Sequence, residues 1–139
     1  MLKGVPQIMD ITSIKSILHY LSVEILPSKF EKAQQPESNT IQLCFRGVSN
    51  HHWIEVSWQG DFARIISIKQ PERIGTESTL AKQLSYGLKY MALVDIVQEK
   101  YERVIRFEFA KKPGEEVTKY LIMEIMGKHS NFFYLDKNL

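Results

Sequence analysis

The chain carries one cysteine, Cys44, so an internal disulfide is excluded and a reducing compartment is the default. No Cys/His cluster with zinc-ligand spacing accompanies it. Long apolar runs are missing as well. The longest, such as Leu121 to Met126, fall far short of the roughly 18 residues that read as a membrane-spanning helix, and no membrane partner is expected. The amino terminus, Met1-Leu2-Lys3-Gly4-Val5-Pro6, lacks a signal-peptide pattern. Charge of one sign is not in excess: 18 basic residues against 16 acidic ones give +2. A strongly basic, non-specific nucleic-acid binder would show a one-sided surplus, so any nucleic-acid contact must be local.

Catalytic signatures are absent in the same way. There is no G-x-x-x-x-G-K-[ST] phosphate loop, G-x-G-x-x-G turn, G-x-S-x-G elbow or H-E-x-x-H helix. No catalytic residue, cofactor or bound metal is expected. Internal repeats, low-complexity tracts and charge blocks are also missing.

What is present describes one globular domain. The 139 residues are 44% hydrophobic and 24% charged, and seven Phe, six Tyr and two Trp supply bulky core material. Asp10 or Thr12 can cap a first helix over about 10–24, with Ile14, Ile17, Leu18 and Leu21 on one face. Pro27 closes it, because proline disfavours helical geometry in the preceding residue. A short strand is expected at Lys29–Gln34, then a turn at Pro36-Glu37-Ser38-Asn39. Ile41, Leu43 and Phe45 alternate with Gln42, Cys44 and Arg46, as a strand with one buried face requires. Ile54, Val56 and Trp58 repeat the pattern, and Ala63–Ile68 completes an antiparallel meander. A second helix is expected near 76–90, capped by Thr76 or Ser78, with Leu80, Leu84 and Leu88 on one stripe. Gly87 weakens that helix by about 1 kcal/mol relative to Ala. Strands resume at Ala92–Gln98, Arg103–Ala110, Lys119–Met126 and Asn131–Leu135. The order predicts an α+β fold: a largely antiparallel β-sandwich of about eight strands with two helices. The chain stops directly after a strand with no closing element, which reads as an incomplete domain.

The polar clusters sort as follows. His51 and His52 are adjacent on a strand and point to opposite faces, so they do not converge on one ion. His19 on the first helix reads as solvated or half-buried, and Cys44 as a small buried or interfacial thiol. Tyr101-Glu102-Arg103 lies at a turn between strands. It is either an ordinary hairpin end with an exposed ion pair or an arginine held ready for a phosphate or a base. Met126-Gly127-Lys128-His129-Ser130-Asn131 is either a plain turn or a dense set of donors able to bind an anion or lock a neighbour. Residue chemistry alone leaves both open.

A family resemblance bears on that choice. Glu124-Ile125-Met126-Gly127-Lys128-His129-Ser130-Asn131 resembles the signature of the NFACT amino-terminal domain, also called the fibronectin-binding protein A amino-terminal domain. Asp10-Ile11-Thr12-Ser13 is similar to the family's opening, and Arg46…Trp53-Ile54…Ser57-Trp58…Ala63-Arg64-Ile65 to its strands. Glu102-Arg103-Val104 sits where the family has a D/E-R pair, and Phe109-Ala110…Pro113-Gly114 matches another stretch. The likeness spans residues 1–139 and is nearest to cyanobacterial and plastid members.

The resemblance implies a role in ribosome-associated quality control. Bacterial RqcH-type and eukaryotic NEMF-type members bind stalled large ribosomal subunits carrying peptidyl-tRNA and recruit tRNA for carboxy-terminal tailing. Carried over, the tRNA-binding residues are Glu102, Arg103, Lys128 and His129, with Glu102 replacing the commoner Asp. Glu124, Gly127, Ser130 and Asn131 belong to the structural motif. The implied partners are tRNA, the large subunit and the remaining domains of a longer protein; the implied compartment is the cytoplasm, or the plastid stroma. A fibronectin-binding adhesin is the alternative, and no residue points to it. The fold implied is similar to the amino-terminal domain of formamidopyrimidine-DNA glycosylases. Those enzymes use an amino-terminal proline followed by glutamate, whereas Pro6 is internal and followed by Gln7, which disfavours glycosylase chemistry.

Overall fold

The computed structural model describes residues 11–60, 63–99, 102–126 and 129–137, with the first three by backbone alone. The chain runs α1 (Ile11–Ile25), β1 (Ser28–Glu37), β2 (Thr40–Arg46), β3 (His51–Ser57), β4 (Arg64–Ile68), α2 (Thr79–Gly87), β5 (Ala92–Gln98), β6 (Val104–Ala110), β7 (Val117–Glu124) and β8 (Asn131–Asp136). The expected α+β class, two helices and eight antiparallel strands are all present. The strands form one hydrogen-bonded sheet in the order β4-β3-β2-β1-β5-β6-β7-β8.

That single sheet makes a sandwich by folding over on itself. Flat, β3 and β8 would lie six strand spacings apart, about 29 Å. Yet Trp58, just beyond β3, stacks on Phe132 of β8 with ring centroids 5.0 Å apart. Phe45 of β2 and Phe109 of β6 stack at 6.3 Å, and Phe30 of β1 meets both edge-on. The bend falls between β1 and β5, which share only the pairs Ser28↔Leu93 and Lys29↔Ala92. Four strands lie on each side of it, and the facing surfaces enclose one apolar core.

Helix α1 contributes Ile14, Leu18, Leu21 and Ile25 to that core and touches β5 and β4, one strand from each half. Helix α2 is shorter than the leucine stripe suggests. Ser78 caps it, accepting the Ala81 N–H at 3.0 Å. It ends at Gly87, whose carbonyl accepts from Lys119 Nζ at 2.6 Å. The ring of Tyr134 sits where a side chain at Gly87 would go. The glycine expected to weaken the helix therefore ends it, and frees the chain to turn into β5.

Strand β1 also departs from expectation by running through Pro36. The register slips by one residue between Gln34 and Glu37, and a proline lacking its N–H is tolerated at such a bulge. The turn shrinks to Ser38-Asn39. The outer face of β1 and β2 is covered as well. Gln34 Nε2 donates to Gln42 Oε1 at 2.7 Å and to the Glu72 carbonyl at 2.8 Å, and Gln42 Nε2 donates to Glu55 Oε1 at 3.0 Å. Glu55 in turn holds Arg64 at 2.7 Å. The loop before α2 thus docks on β1, fixed by the Gln35 N–H donating to the Gly75 carbonyl at 2.8 Å.

Gly75 is required at that contact. Its φ is +75°, and a Cβ there would lie 1.9 Å from the Gln35 carbonyl oxygen. Gly114 has a φ of +88° but open space around it. Gly114→Ala should therefore cost about 1 kcal/mol, the left-handed backbone penalty alone. Gly75→Ala should cost about 3 kcal/mol or more, because the loop must leave the strand. Urea denaturation of the two variants measures the difference; equal losses would mean that the loop does not need its tight approach.

Candidate nucleic-acid interface

In the β5–β8 half, two hairpin ends come together. The β5–β6 end is closed by the Glu99 N–H donating to the Val104 carbonyl at 2.9 Å, and a tight turn by the Glu102 N–H donating to the Glu99 carbonyl at 3.0 Å. Gln98 Nε2 donates to the Glu102 carbonyl at 2.8 Å and braces the turn from the strand. Next to it, Val104 pairs with Glu124, and the Ile125 N–H donates to the Arg103 carbonyl at 2.9 Å. The two sequence clusters, 21 positions apart at Arg103 and Glu124, are thus joined by backbone hydrogen bonds.

The described residues of the 124–131 segment brace one another. Glu124 and Asn131 are register partners of β7 and β8, and Asn131 Nδ2 reaches Glu124 Oε1 at 3.5 Å. Buried Ser130 accepts the Met126 N–H through Oγ at 3.1 Å, and the His129 N–H donates to the Met126 carbonyl at 3.3 Å. Ile125 is buried in the core. Glu124, Ser130 and Asn131 thus hold the end of β7 and the start of β8 together beside the start of β6. Strand β7 ends at Glu124, two residues earlier than its apolar run suggests, because Met126 is taken up by Ser130.

Exposed on this frame are Glu102, Arg103 and His129. Arg103 sits in the bend just before β6 rather than on the strand. Its guanidinium has no partner among the described residues. Glu102 does not pair with it, so the ion pair of the ordinary hairpin-end reading is not formed. Nearby Arg106, in contrast, is held by Glu99 and by Glu108 Oε2 at 3.2 Å. Tyr101, Gly127 and Lys128 lie outside the described residues, as does the candidate cap Asp10. Gln98 gave no signal in the sequence, since its role depends on the turn that it braces.

The other candidates fall elsewhere. His19 is exposed on α1, and His51 and His52 lie at the start of β3, where His51 Nε2 contacts Glu31 Oε2 at 2.7 Å. No group of three or more potential metal ligands gathers among the described residues. No helix there is long and apolar enough to cross a membrane. Cys44 is buried, as expected, and burial with the Glu31 carboxylate nearby pushes its thiol up from 9.0 to about 11.

Residues 10–139 match the model of the NFACT N-terminal and middle domains. The chain belongs to the NFACT family. Among curated relatives, a protein named Rqc2 homolog RqcH from Streptococcus pneumoniae is 28% identical over 125 residues, covering 88% of this chain and 23% of the relative. Its Streptococcus suis counterpart is 27% identical over 129 residues, with 87% and 23% covered. The chain therefore spans about a quarter of the length of these relatives. Among solved structures, the N-terminal domain of fibronectin-binding protein PavA from S. pneumoniae superposes with a TM-score of 0.79 at 26% identity, covering 89% of this chain and 48% of that one. In this NFACT chain, bonds from Glu124, Ile125, Met126, Ser130 and Asn131 lock β7, β8 and the Arg103 turn together.

Removing the Ser130 hydroxyl should loosen that lock. Ser130→Ala leaves a backbone N–H without its acceptor and should cost about 1–2 kcal/mol, read by thermal melting; an unchanged melting point would show that the turn holds itself. For Cys44, the folded thiol keeps its proton above the pH at which the unfolded one ionises. Its contribution is intact below pH 9.0 and is lost as pH rises toward about 11. Wild type should therefore lose more stability over that window than Cys44→Ala, as parallel denaturation curves would show.

Proposed function

We propose that this chain is a tRNA- and large-ribosomal-subunit-binding module of a ribosome-associated quality control protein, and that it performs no catalytic step itself. The observation that carries the reading is the guanidinium of Arg103, unpartnered among the described residues, on a turn whose backbone is bonded to the NFACT signature segment. A guanidinium held this way can fork onto a phosphate or stack on an unpaired loop base. Glu102 is the second contact, suited to a base-edge donor because its carboxylate repels phosphate. His129 and Lys128 add weaker contacts from the neighbouring loop. The braced segment around Glu124, Ser130 and Asn131 keeps that surface rigid, and rigid placement is what recognition geometry needs. The partners are tRNA and a stalled large subunit carrying peptidyl-tRNA, met together with the remaining domains of a longer protein. The compartment is then the cytoplasm, or the plastid stroma in a plastid-bearing source. A fibronectin-binding reading rests on relatives' names alone.

Arg103→Ala in the full-length protein tests the reading. Recovery of tRNA should fall several-fold while stability changes by less than about 0.5 kcal/mol, as for most exposed positions. A well-folded variant that recovers tRNA as wild type does would return the turn to an ordinary hairpin end.

A further inference from the structure

The bend between β1 and β5 carries a second polar surface, at the other end of β5 from Arg103. Lys29 of β1 and Arg46 of β2 are direct cross-strand partners, and both are exposed. Like charges placed directly opposite destabilise a ladder. Neither cation has a partner among the described residues. They line a hollow of about 340 Å³ together with Phe30, Glu31 and Tyr90. The one carboxylate in that lining is already engaged. Glu31 is the extra residue of a bulge in β1, and its Oε2 lies 2.7 Å from His51 Nε2.

Tyr90 forms the remaining wall and breaks two local rules. Its φ is +64°, in the left-handed region where glycine or asparagine is ordinary. The turn out of α2 needs that backbone, and glycine would supply it without steric cost. The ring gives little back to the core, being 65% exposed. Lys89 Nζ stands 5.1 Å from its centroid and adds a third cation. Unfavourable backbone, an outward ring and opposed cations at one place are the kind of local departure that gathers at ligand sites.

We propose that this hollow holds one nucleotide of a single-stranded nucleic acid, with its phosphate between Lys29 and Arg46 and its base stacked on Tyr90. A phosphate there relieves the repulsion between the two cations. The aromatic face accepts any base, since every base presents a π-face. An acidic peptide would satisfy the cations but bring no planar group to stack on the ring, which is why a nucleotide is the better fit. The seven residues of β5 put the hollow about 20 Å from the Arg103 turn, so the site stands apart from the function proposed above.

Fluorescence anisotropy with a labelled single-stranded oligoadenylate at low salt tests the proposal on the 139-residue chain. Replacing both cations, Lys29→Gln with Arg46→Gln, should weaken binding about tenfold and lower the salt slope by about one. Tyr90→Gly suits the backbone, so its melting temperature should equal or exceed wild type while affinity drops about fivefold or more. The loss on replacing both cations should be of the same size in an Arg103→Ala background, which separates the two sites. AMP should compete only at much higher nucleotide concentration. Wild-type affinity in Tyr90→Gly would overturn the proposal. So would a polyglutamate peptide that displaces the oligonucleotide as well as unlabelled oligonucleotide does, since the surface would then take an acidic protein segment. Equal competition by AMP per nucleotide would overturn the assignment to a polymer.

Discussion

Two residue pairs, Ser28↔Leu93 and Lys29↔Ala92, connect one half of the sheet to the other. A longer β1–β5 ladder would hold the eight strands in one gently twisted surface, with its apolar face open to water. The short junction lets the sheet fold, and the Phe30, Phe45 and Phe109 cluster then forms from strands of both halves. Two backbone bonds just past Lys29↔Ala92, between Phe30 and the Tyr90-Met91 segment, hold the junction at its open end. The rest of the architecture follows: α1 closes over β4 and β5, Trp58 meets Phe132 across the far edges, and Gly87 lets α2 deliver the chain to the bend.

The bend also decides how charge is displayed. Among the described residues, several cations are held by carboxylates: Arg64 by Glu55, Arg106 by Glu99 and Glu108, Lys137 by Glu116. Arg103, Lys29 and Arg46 sit at or near strand ends and pair with no acid among the described residues. Arg103 lies at the tip of the β5–β6 hairpin, and Lys29 and Arg46 lie beside the bend. Strand ends are fixed by ladders on one side and open to solvent on the other, so they present a cation without much loss of side-chain order. A nearly neutral chain can thus offer local positive sites while avoiding the indiscriminate attraction of a uniformly basic surface.

Much of the fold was legible because periodicity reports burial. Ile41, Leu43 and Phe45 read as one face of a strand, and Ile14, Leu18 and Leu21 as one face of a helix, and all are buried. The misreadings have local causes. Pro36 looked like a turn because a proline cannot donate to a ladder, and the bulge that accommodates it is invisible without the partner strand. Residues 88–90 looked helical because Leu88 continues the leucine stripe, whereas Gly87 ends the helix through contacts from β7 and β8. The Arg103 turn and the signature segment were each visible as polar clusters. Their union through Ile125 was not, since it depends on β6 and β7 being neighbours.

The sequence by itself determined the class of the protein: two helices, eight strands, no motif for catalysis or metal binding, and the NFACT signature from Glu124 to Asn131. These features are local, carried by period, turn chemistry and consecutive residues, so they survive without knowledge of what touches what. Only the tertiary structure decided that one sheet folds into two facing layers, that among the described residues Arg103 is left without an acid while Arg106 is not, and that Lys29, Arg46 and Tyr90 share one hollow. Each of these rests on strands far apart in the chain becoming neighbours. The energy that chooses those neighbours, burial of apolar faces summed over the whole sheet, is not written in any single stretch of residues.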